Sequence, residues 1–166
     1  MSSLRPLTAG ETGLLDEAFQ GRLDCRMLRL VDGHDGNPLP RAAFRNGNTA
    51  ITLRRTIYFG AHYRPDFACA DPHACGLFLH EMTHVWQYKR LGLARFFLRY
   101  GRDLCSCRFN APAMYRYEEG ETAFAEARLE AQAQMVGDYG EARRLGDARR
   151  LARLERNLKG SGFWGL

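Results

Sequence analysis

The chain has 166 residues, of which 45% are hydrophobic and 26% are charged, proportions typical of a single globular domain with its own core. No apolar stretch approaches the roughly 20 residues of a membrane span, and the amino terminus lacks the apolar run of a secretory signal. The net charge of +5 comes from 22 Arg and 2 Lys residues scattered along the chain without a nucleic-acid-binding motif, which argues against a nucleic-acid partner.

The first third of the chain alternates between helix and strand signals. Thr8 and Glu11 fit a capping box, which predicts a helix from there to about Gln20. Residues 26–31 alternate as a strand does, and residues 32–49 are rich in Gly, Asn, Asp and Pro, which predicts a long loop. Residues 50–53 and 56–59 are β-rich runs that form either a tight hairpin or one bent strand.

The next segment, residues 75–91, carries the motif His-Glu-x-x-His at the centre of a predicted helix that ends at Gly92. Residues four apart lie on one helix face, so His80 and His84 can both direct an imidazole at one ion. Neutral imidazole is a normal zinc ligand, and Glu81 stands beside the ion, where it can take a proton from water. Two such histidines can also be ordinary core or surface residues. However, these polar groups directly follow an apolar run, where burial without a partner is costly.

The chain then predicts a short amphipathic helix over residues 93–100 and an irregular aromatic stretch over 101–117. Tyr115 and Tyr117 fall at the end of that stretch. A tyrosine there can donate a hydrogen bond to the oxyanion of a tetrahedral intermediate, although such tyrosines are more often packing groups.

A catalytic zinc needs a third protein ligand, which we expect from the acidic helix predicted over residues 118–139. The other histidines lie in predicted loops rich in Gly, Asp or Pro and are poor candidates (His34, His62 and His73). Glu130 is surrounded by alanines that would let this helix approach another closely. Glu126 lies one turn earlier on the same face, and spacing alone does not separate the two. Asp138 shares that face and could support a ligand without touching the ion.

The end of the chain shows a further change in composition. Residues 141–158 place leucines and alanines at helical spacing with arginines on the other faces, which predicts a terminal helix laid on the core. The Gly-rich tail, residues 160–166, is predicted to be mobile. The five cysteines are an odd number and are expected to be reduced, with a Cys69–Cys75 disulfide as the alternative in an oxidising compartment.

Two segments together, His80 to Gln87 and Leu129 to Tyr139, resemble the zincin metallopeptidase domains of bacterial type VI secretion effectors, found on VgrG spike and Rhs proteins. Further similar segments are residues 5–11, 56–59 and 63–67, so the resemblance covers roughly residues 5–140. The chain departs from the family at Ala131, where a second Gln is common, and in its cysteines and Arg-rich tail. The resemblance favours Glu130 over Glu126 as the third zinc ligand.

The resemblance implies a single α+β zincin-like domain over residues 1–166, mostly helical, with a small sheet beside the metal helix. Its core would be about residues 5–140, followed by the Arg-rich helix and tail, 141–166. It further implies one Zn²⁺ ion, a polypeptide substrate bound along an edge strand formed by Ile57, Tyr58 and Phe59, and secretion by a type VI system to act in the periplasm of a target cell. A spike protein and an immunity protein would be its partners.

Several other functions remain compatible with the motif. A zinc amidase acting on cell-wall peptides is a chemically distinct enzyme. A housekeeping or DNA-associated zincin protease, and a zincin fold used as a binding module with a structural metal, are further alternatives. The presence of Glu81 argues against the binding module, because a structural metal needs no base beside its ligands.

Overall fold

The computed structural model describes residues 4–166 and is mostly helical, with one small four-stranded sheet, which confirms the predicted α+β class. The strands are β1 (Leu4–Arg5), β2 (Arg29–Asp32), β3 (Ala50–Leu53) and β4 (Thr56–Phe59). The helices are α1 (Ala9–Phe19), α2 (Pro38–Arg45), α3 (Pro72–Leu91), α4 (Leu93–Ser106), α5 (Ala111–Met114), α6 (Leu129–Leu145) and α7 (Ala148–Leu158). None of the helices in residues 4–166 is long and apolar enough to cross a membrane.

The sheet has the order β1-β2-β4-β3, so β1 and β3 are its edges. Of the two arrangements that the sequence left open, β3 and β4 form the tight hairpin, and β4 also pairs in parallel with β2. The sheet packs on α3, whose central position is shown by its nearly continuous burial from Ala74 to Gln87. The core therefore lies between the sheet, α3 and α6.

Local signals explain most element boundaries. The capping box of Thr8 and Glu11 is present, and α1 ends at Phe19, one residue before the predicted end. α3 begins three residues earlier than predicted because Asp71 caps it and Pro72 occupies its first turn. The same signal, Asn37 before Pro38, starts α2 inside the segment that was predicted to be a loop.

Residues 118–128 are not helical, so the predicted acidic helix begins only at Leu129. The cause is a long-range contact: the Asn157 side chain of α7 accepts from the Gly120 amide and donates to the carbonyls of Glu118 and Thr122. Gly120 adopts a positive φ of 86°, which a helix does not allow. These hydrogen bonds outweigh the local helix propensity of the acidic segment.

The end of the chain also differs from the prediction. The helix predicted over residues 141–158 is divided, because Gly146 caps α6 in the left-handed conformation and Asp147 starts α7. The tail that was predicted to be mobile packs on the core: Phe163 is fully buried and meets Phe19 edge-on at a centroid distance of 5.0 Å. Two more predicted boundaries are wrong, since β2 begins only at Arg29 and α4 continues to Ser106.

Candidate metal centre and active site

The structure brings His80, His84 and Glu130 together at the contact between α3 and α6. The Nε2 atoms of the two histidines are 3.2 Å apart, and Glu130 Oε2 lies 3.3 Å from His80 Nε2 and 3.2 Å from His84 Nε2. Ligands placed tetrahedrally at about 2.0–2.1 Å from zinc are separated by about 3.3–3.4 Å. The three atoms thus form one nearly equilateral face of a tetrahedron of the size that Zn²⁺ requires.

Glu130 Oε2 supplies an independent test of whether an ion fits. This oxygen is buried and has no hydrogen-bond partner, although buried carboxylates are normally well satisfied. A cation among the three atoms would provide the missing partner. Two neutral imidazoles and one carboxylate are a normal donor set for a zinc site that keeps its fourth position open. The residues present therefore fit zinc.

Close helix packing positions Glu130 at the histidines. α3 and α6 cross at Gly76 and Gly137, where a Cβ atom on Gly137 would lie only 2.7 Å from the Gly76 carbonyl oxygen. Such a distance is too short for any side chain, so glycine is required at this crossing. The alanines near Glu130 are visible in the sequence as a signal for close packing, but these glycines, which were not predicted to matter, set the distance between the helices.

Gln87, which the sequence analysis did not single out, holds the His84 ring. Its side-chain oxygen lies 2.9 Å from His84 Nδ1, while its amide nitrogen donates to the Leu129 carbonyl at 2.9 Å. Because the amide nitrogen is committed to a carbonyl, the oxygen must face His84 and accept from a protonated Nδ1. The Nε2 lone pair is then free for a metal. Gln87 also connects the metal helix to the start of α6.

His84 and Glu130 shift each other's pKa. Burial lowers the pKa of His84, but the negative charge of Glu130 outweighs it and raises that pKa to about 9. Burial raises the pKa of Glu130, but His84 and His80 hold it well below its usual range. Without metal, the site therefore holds a proton on His84 at neutral pH.

Glu81 faces a cleft of about 280 Å³ between the metal helix and β3. The Thr52 hydroxyl of β3 donates to Glu81 Oε2 at 2.7 Å, and both residues are buried. The Thr52 carbonyl in turn accepts from the Tyr88 hydroxyl of α3 at 3.1 Å. Thr52 thus joins the edge strand to the metal helix and fixes the orientation of the Glu81 carboxylate.

The prediction that Ile57, Tyr58 and Phe59 form the edge strand is wrong. These residues belong to β4, which lies between β2 and β3, and Ile57 and Phe59 are fully buried in the core. Both long sides of β4 are already paired, so it has no free backbone groups for a further strand. The alternative reading of these residues as a core strand is correct.

The free edge beside the cleft belongs to β3. The hairpin closes at the pair Leu53–Thr56, and Gly60 donates to the Thr49 carbonyl, so residues 49, 51 and 53 bond to β4. The backbone groups of Ala50 and Thr52 consequently point away from β4, as the bond from Tyr88 to the Thr52 carbonyl also shows. These groups line the open edge.

The two predicted tyrosines have different surroundings. Tyr115 stacks on the His80 ring at a centroid distance of 5.8 Å and lines the cleft. Burial, followed by the charge of Glu130, raises the pKa of Tyr115, so its hydroxyl stays protonated. Tyr117 instead donates to Asp138 Oδ2 at 2.5 Å.

Tyr100 of α4, which the sequence analysis assigned to no site, also lines the cleft. Burial and the Glu130 charge raise its pKa to about 12, so it too remains a hydrogen-bond donor. The carboxylate of Asp138 accepts from Gln134 at 2.9 Å and pairs with Arg150 at 3.2 Å in addition to Tyr117. Asp138 therefore has partners of its own, although it lies near His80 in an adjoining cavity.

The remaining sequence candidates lie away from the centre. Glu126 is exposed and precedes α6, which removes it as a ligand. The five cysteines are free, so the alternative of a Cys69–Cys75 disulfide is not observed.

The fold and site define an α+β domain with a buried two-histidine, one-glutamate centre opening on a cleft. No family model matches the sequence. Over 137 residues, 81% of the chain, it is 29% identical to the type VI secretion system spike protein VgrG2b of Pseudomonas aeruginosa. The chain spans only 13% of the length of that protein.

A solved structure, the effector domain of Pseudomonas aeruginosa VgrG2b, is similar with a TM-score of 0.67 and 27% sequence identity. The similarity covers 94% of this chain and 82% of that one. Sequence and structure agree, and the chain is homologous to the effector domain of this spike protein.

Proposed function

We propose that this chain is a zinc-dependent peptidase domain that serves as a type VI secretion effector. The observation that carries the peptidase proposal is the combination of a zinc-sized ligand triangle with a glutamate that faces the same cleft. Homology to the effector domain of VgrG2b supports the secretion role.

The residues of the cleft suit peptide hydrolysis. His80, His84 and Glu130 would hold the ion, which when bound would polarise the scissile carbonyl and activate water. Glu81, oriented by Thr52, takes the proton of the attacking water and later gives it to the leaving amine. Tyr115 and Tyr100 are protonated phenols that would donate hydrogen bonds to the developing oxyanion.

The polypeptide substrate would bind along β3. Its backbone would pair with the outward groups of Ala50 and Thr52, extending the sheet by one strand. This arrangement would place a peptide bond between the edge strand and the zinc ligands, within reach of Glu81. It replaces the edge strand that the sequence analysis assigned to β4.

Homology to the effector domain of a type VI spike protein supports a proposal for the cellular role. We infer that a type VI spike protein carries this domain out of the producing cell and that it cleaves polypeptide in the periplasm of a neighbouring bacterium. A peptidase whose substrate lies there is harmless in the producer's cytoplasm, and an immunity protein would protect the producer's own periplasm.

Glu81→Gln tests the enzyme proposal. General acid–base catalysis contributes about 10²–10⁴-fold, so peptidase activity should fall by that factor while bound zinc, measured by elemental analysis, stays at one ion. Glu126→Gln, an exposed glutamate outside the site, is the matched control and should keep full activity. Full activity of the Glu81 variant would refute the proposal. Bound zinc with no hydrolysis by the wild type would favour a binding module, and release of cell-wall peptides alone would favour an amidase.

The effector role needs a separate test in bacteria. Wild type and Glu81→Gln are expressed with and without an added export signal, giving four cultures. We expect growth arrest only when the wild-type protein is exported. Equal growth of all four cultures would leave a housekeeping peptidase as the better account.

A further inference from the structure

A second cavity, distinct from the cleft that contains Glu81, is bounded by α3, α4, the start of α6 and two surface loops. Its volume is about 210 Å³, whereas one water molecule occupies roughly 30 Å³ in the liquid, so it has room for a polyatomic ligand. Arg90, Arg99 and Lys159 line it, and no carboxylate among residues 4–166 does. The nearest ion-pair contact of Arg99 is Asp103, at the long distance of 4.0 Å.

One buried guanidinium nitrogen of a lining residue, and a second on an arginine that contacts lining residues, have no hydrogen-bond partner among residues 4–166. Within the described part of the chain, three buried side-chain polar atoms make no hydrogen bond: Glu130 Oε2, Arg22 Nη2 and Arg99 Nε. The proposed metal ion would satisfy the first. Arg99 lines the cavity. Arg22 lies over the Trp86 ring and donates through Nη1 to the Ser161 carbonyl, and Trp86 and Ser161 are both lining residues. Unsatisfied buried donors are rare and require an explanation.

Two of the cations at or beside the cavity contact the same aromatic ring, and within the described chain only Arg99 forms an ion pair, the long one with Asp103. Arg22 and Arg90 both contact the ring of Trp86, with guanidinium carbons 5.5 and 5.1 Å from its centroid. Neither of them, nor Lys159, forms an ion pair with a carboxylate of residues 4–166. Uncompensated like charges around a concave, partly aromatic wall create a positive potential that attracts an anion.

We propose that this cavity binds a phosphate group. Guanidinium groups match the oxygens of phosphate, and an ammonium adds a point charge. A carboxylate carries one charge and two oxygens, which leaves most of these donors unused. A phosphate brings close to two charges and at least three acceptor oxygens, so it better satisfies the three lining cations. The cations of this proposal are not residues of the cleft, although Gln87, which holds His84, also lines the cavity.

Binding of inorganic phosphate to the purified protein tests the proposal. Titration calorimetry at constant ionic strength, with chloride as the comparison anion, should show saturable binding of phosphate. Each lost charged hydrogen bond corresponds to about a tenfold loss of affinity, so Arg90→Gln/Lys159→Gln should weaken binding at least tenfold. Arg41→Gln/Arg45→Gln removes the same charge from exposed positions on α2 and should bind as the wild type does.

The two variants also separate this site from the metal centre and identify the source of the phosphate. Phosphate held by zinc would be insensitive to Arg90→Gln/Lys159→Gln, and that result would overturn the proposal, as would the absence of saturable binding. Sedimentation with phosphatidylcholine vesicles that contain phosphatidic acid, whose headgroup is a phosphomonoester, distinguishes the sources. Vesicle binding lost only in the cavity variant assigns the site to a lipid headgroup, whereas binding of free phosphate without vesicle binding assigns it to a soluble phosphate compound.

Discussion

Thr52→Val should disable the proposed peptidase without disturbing its metal centre. Valine has nearly the shape of threonine, and Thr52 is only 5% exposed, so the change removes little more than the hydroxyl that donates to Glu81 at 2.7 Å. A hydrogen bond to a charged group contributes about 1.5–3 kcal/mol. If that contribution orients Glu81 in the transition state, kcat should fall roughly 10- to 100-fold, since 1.36 kcal/mol is tenfold in rate.

The assay compares the wild type, Thr52→Val and Thr52→Ser on a quenched fluorescent peptide library, with zinc content measured on the same samples. We expect kcat to fall in the valine variant while KM and bound zinc stay unchanged, because the outward backbone groups of β3 remain. Serine restores the hydroxyl and should recover most of kcat. A valine variant within threefold of the wild type, or a serine variant equally impaired, would refute the positioning role.

Two further predictions concern the helix crossing and the metal. Gly137→Ala should lower the free energy of unfolding by at least about 1–3 kcal/mol in chemical denaturation and weaken zinc binding, because its methyl group would lie 2.7 Å from the Gly76 carbonyl oxygen. The control Gly13→Ala lies in open space within α1 and should raise the free energy of unfolding by about 0.5–1 kcal/mol. Equal effects of the two changes would contradict this account. Zinc affinity should rise about tenfold per pH unit from pH 7 and level off above about 9, because the proton that Glu130 holds on His84 must leave first. A pH-independent affinity in competition with a chelator would show that His84 is already neutral.

How much of the site could be predicted depends on sequence separation. His80, Glu81 and His84 are placed by the periodicity of one helix, so their mutual geometry follows from the sequence alone. Thr52 and Tyr100 come from other elements, and no local pattern marks them as neighbours of Glu81 or Glu130. Their roles depend on how the sheet and α4 pack against α3, which is a tertiary property.

The errors in the fold have the same origin. Residues 118–128 carry an acidic pattern that favours helix, yet Asn157 of α7 binds their backbone across sequence separations of 37 and 39 residues. The Gly-rich tail looks mobile by composition, but Phe163 fills the space between Phe19 and Trp86. In each case a contact distant in sequence outweighs a local preference of a few tenths of a kcal/mol per residue.

The position of the edge strand shows why such contacts matter for function. Residues 50–53 and 56–59 are equally β-rich, and a hairpin by itself has two free sides. β2 pairs in parallel with β4 and takes one of those sides, so β3 is the strand of the hairpin that retains a free edge. β3 is also the strand that contacts α3 through Thr52. The pairing of β2, a strand from outside the site, therefore determines which backbone a substrate would meet beside Glu81.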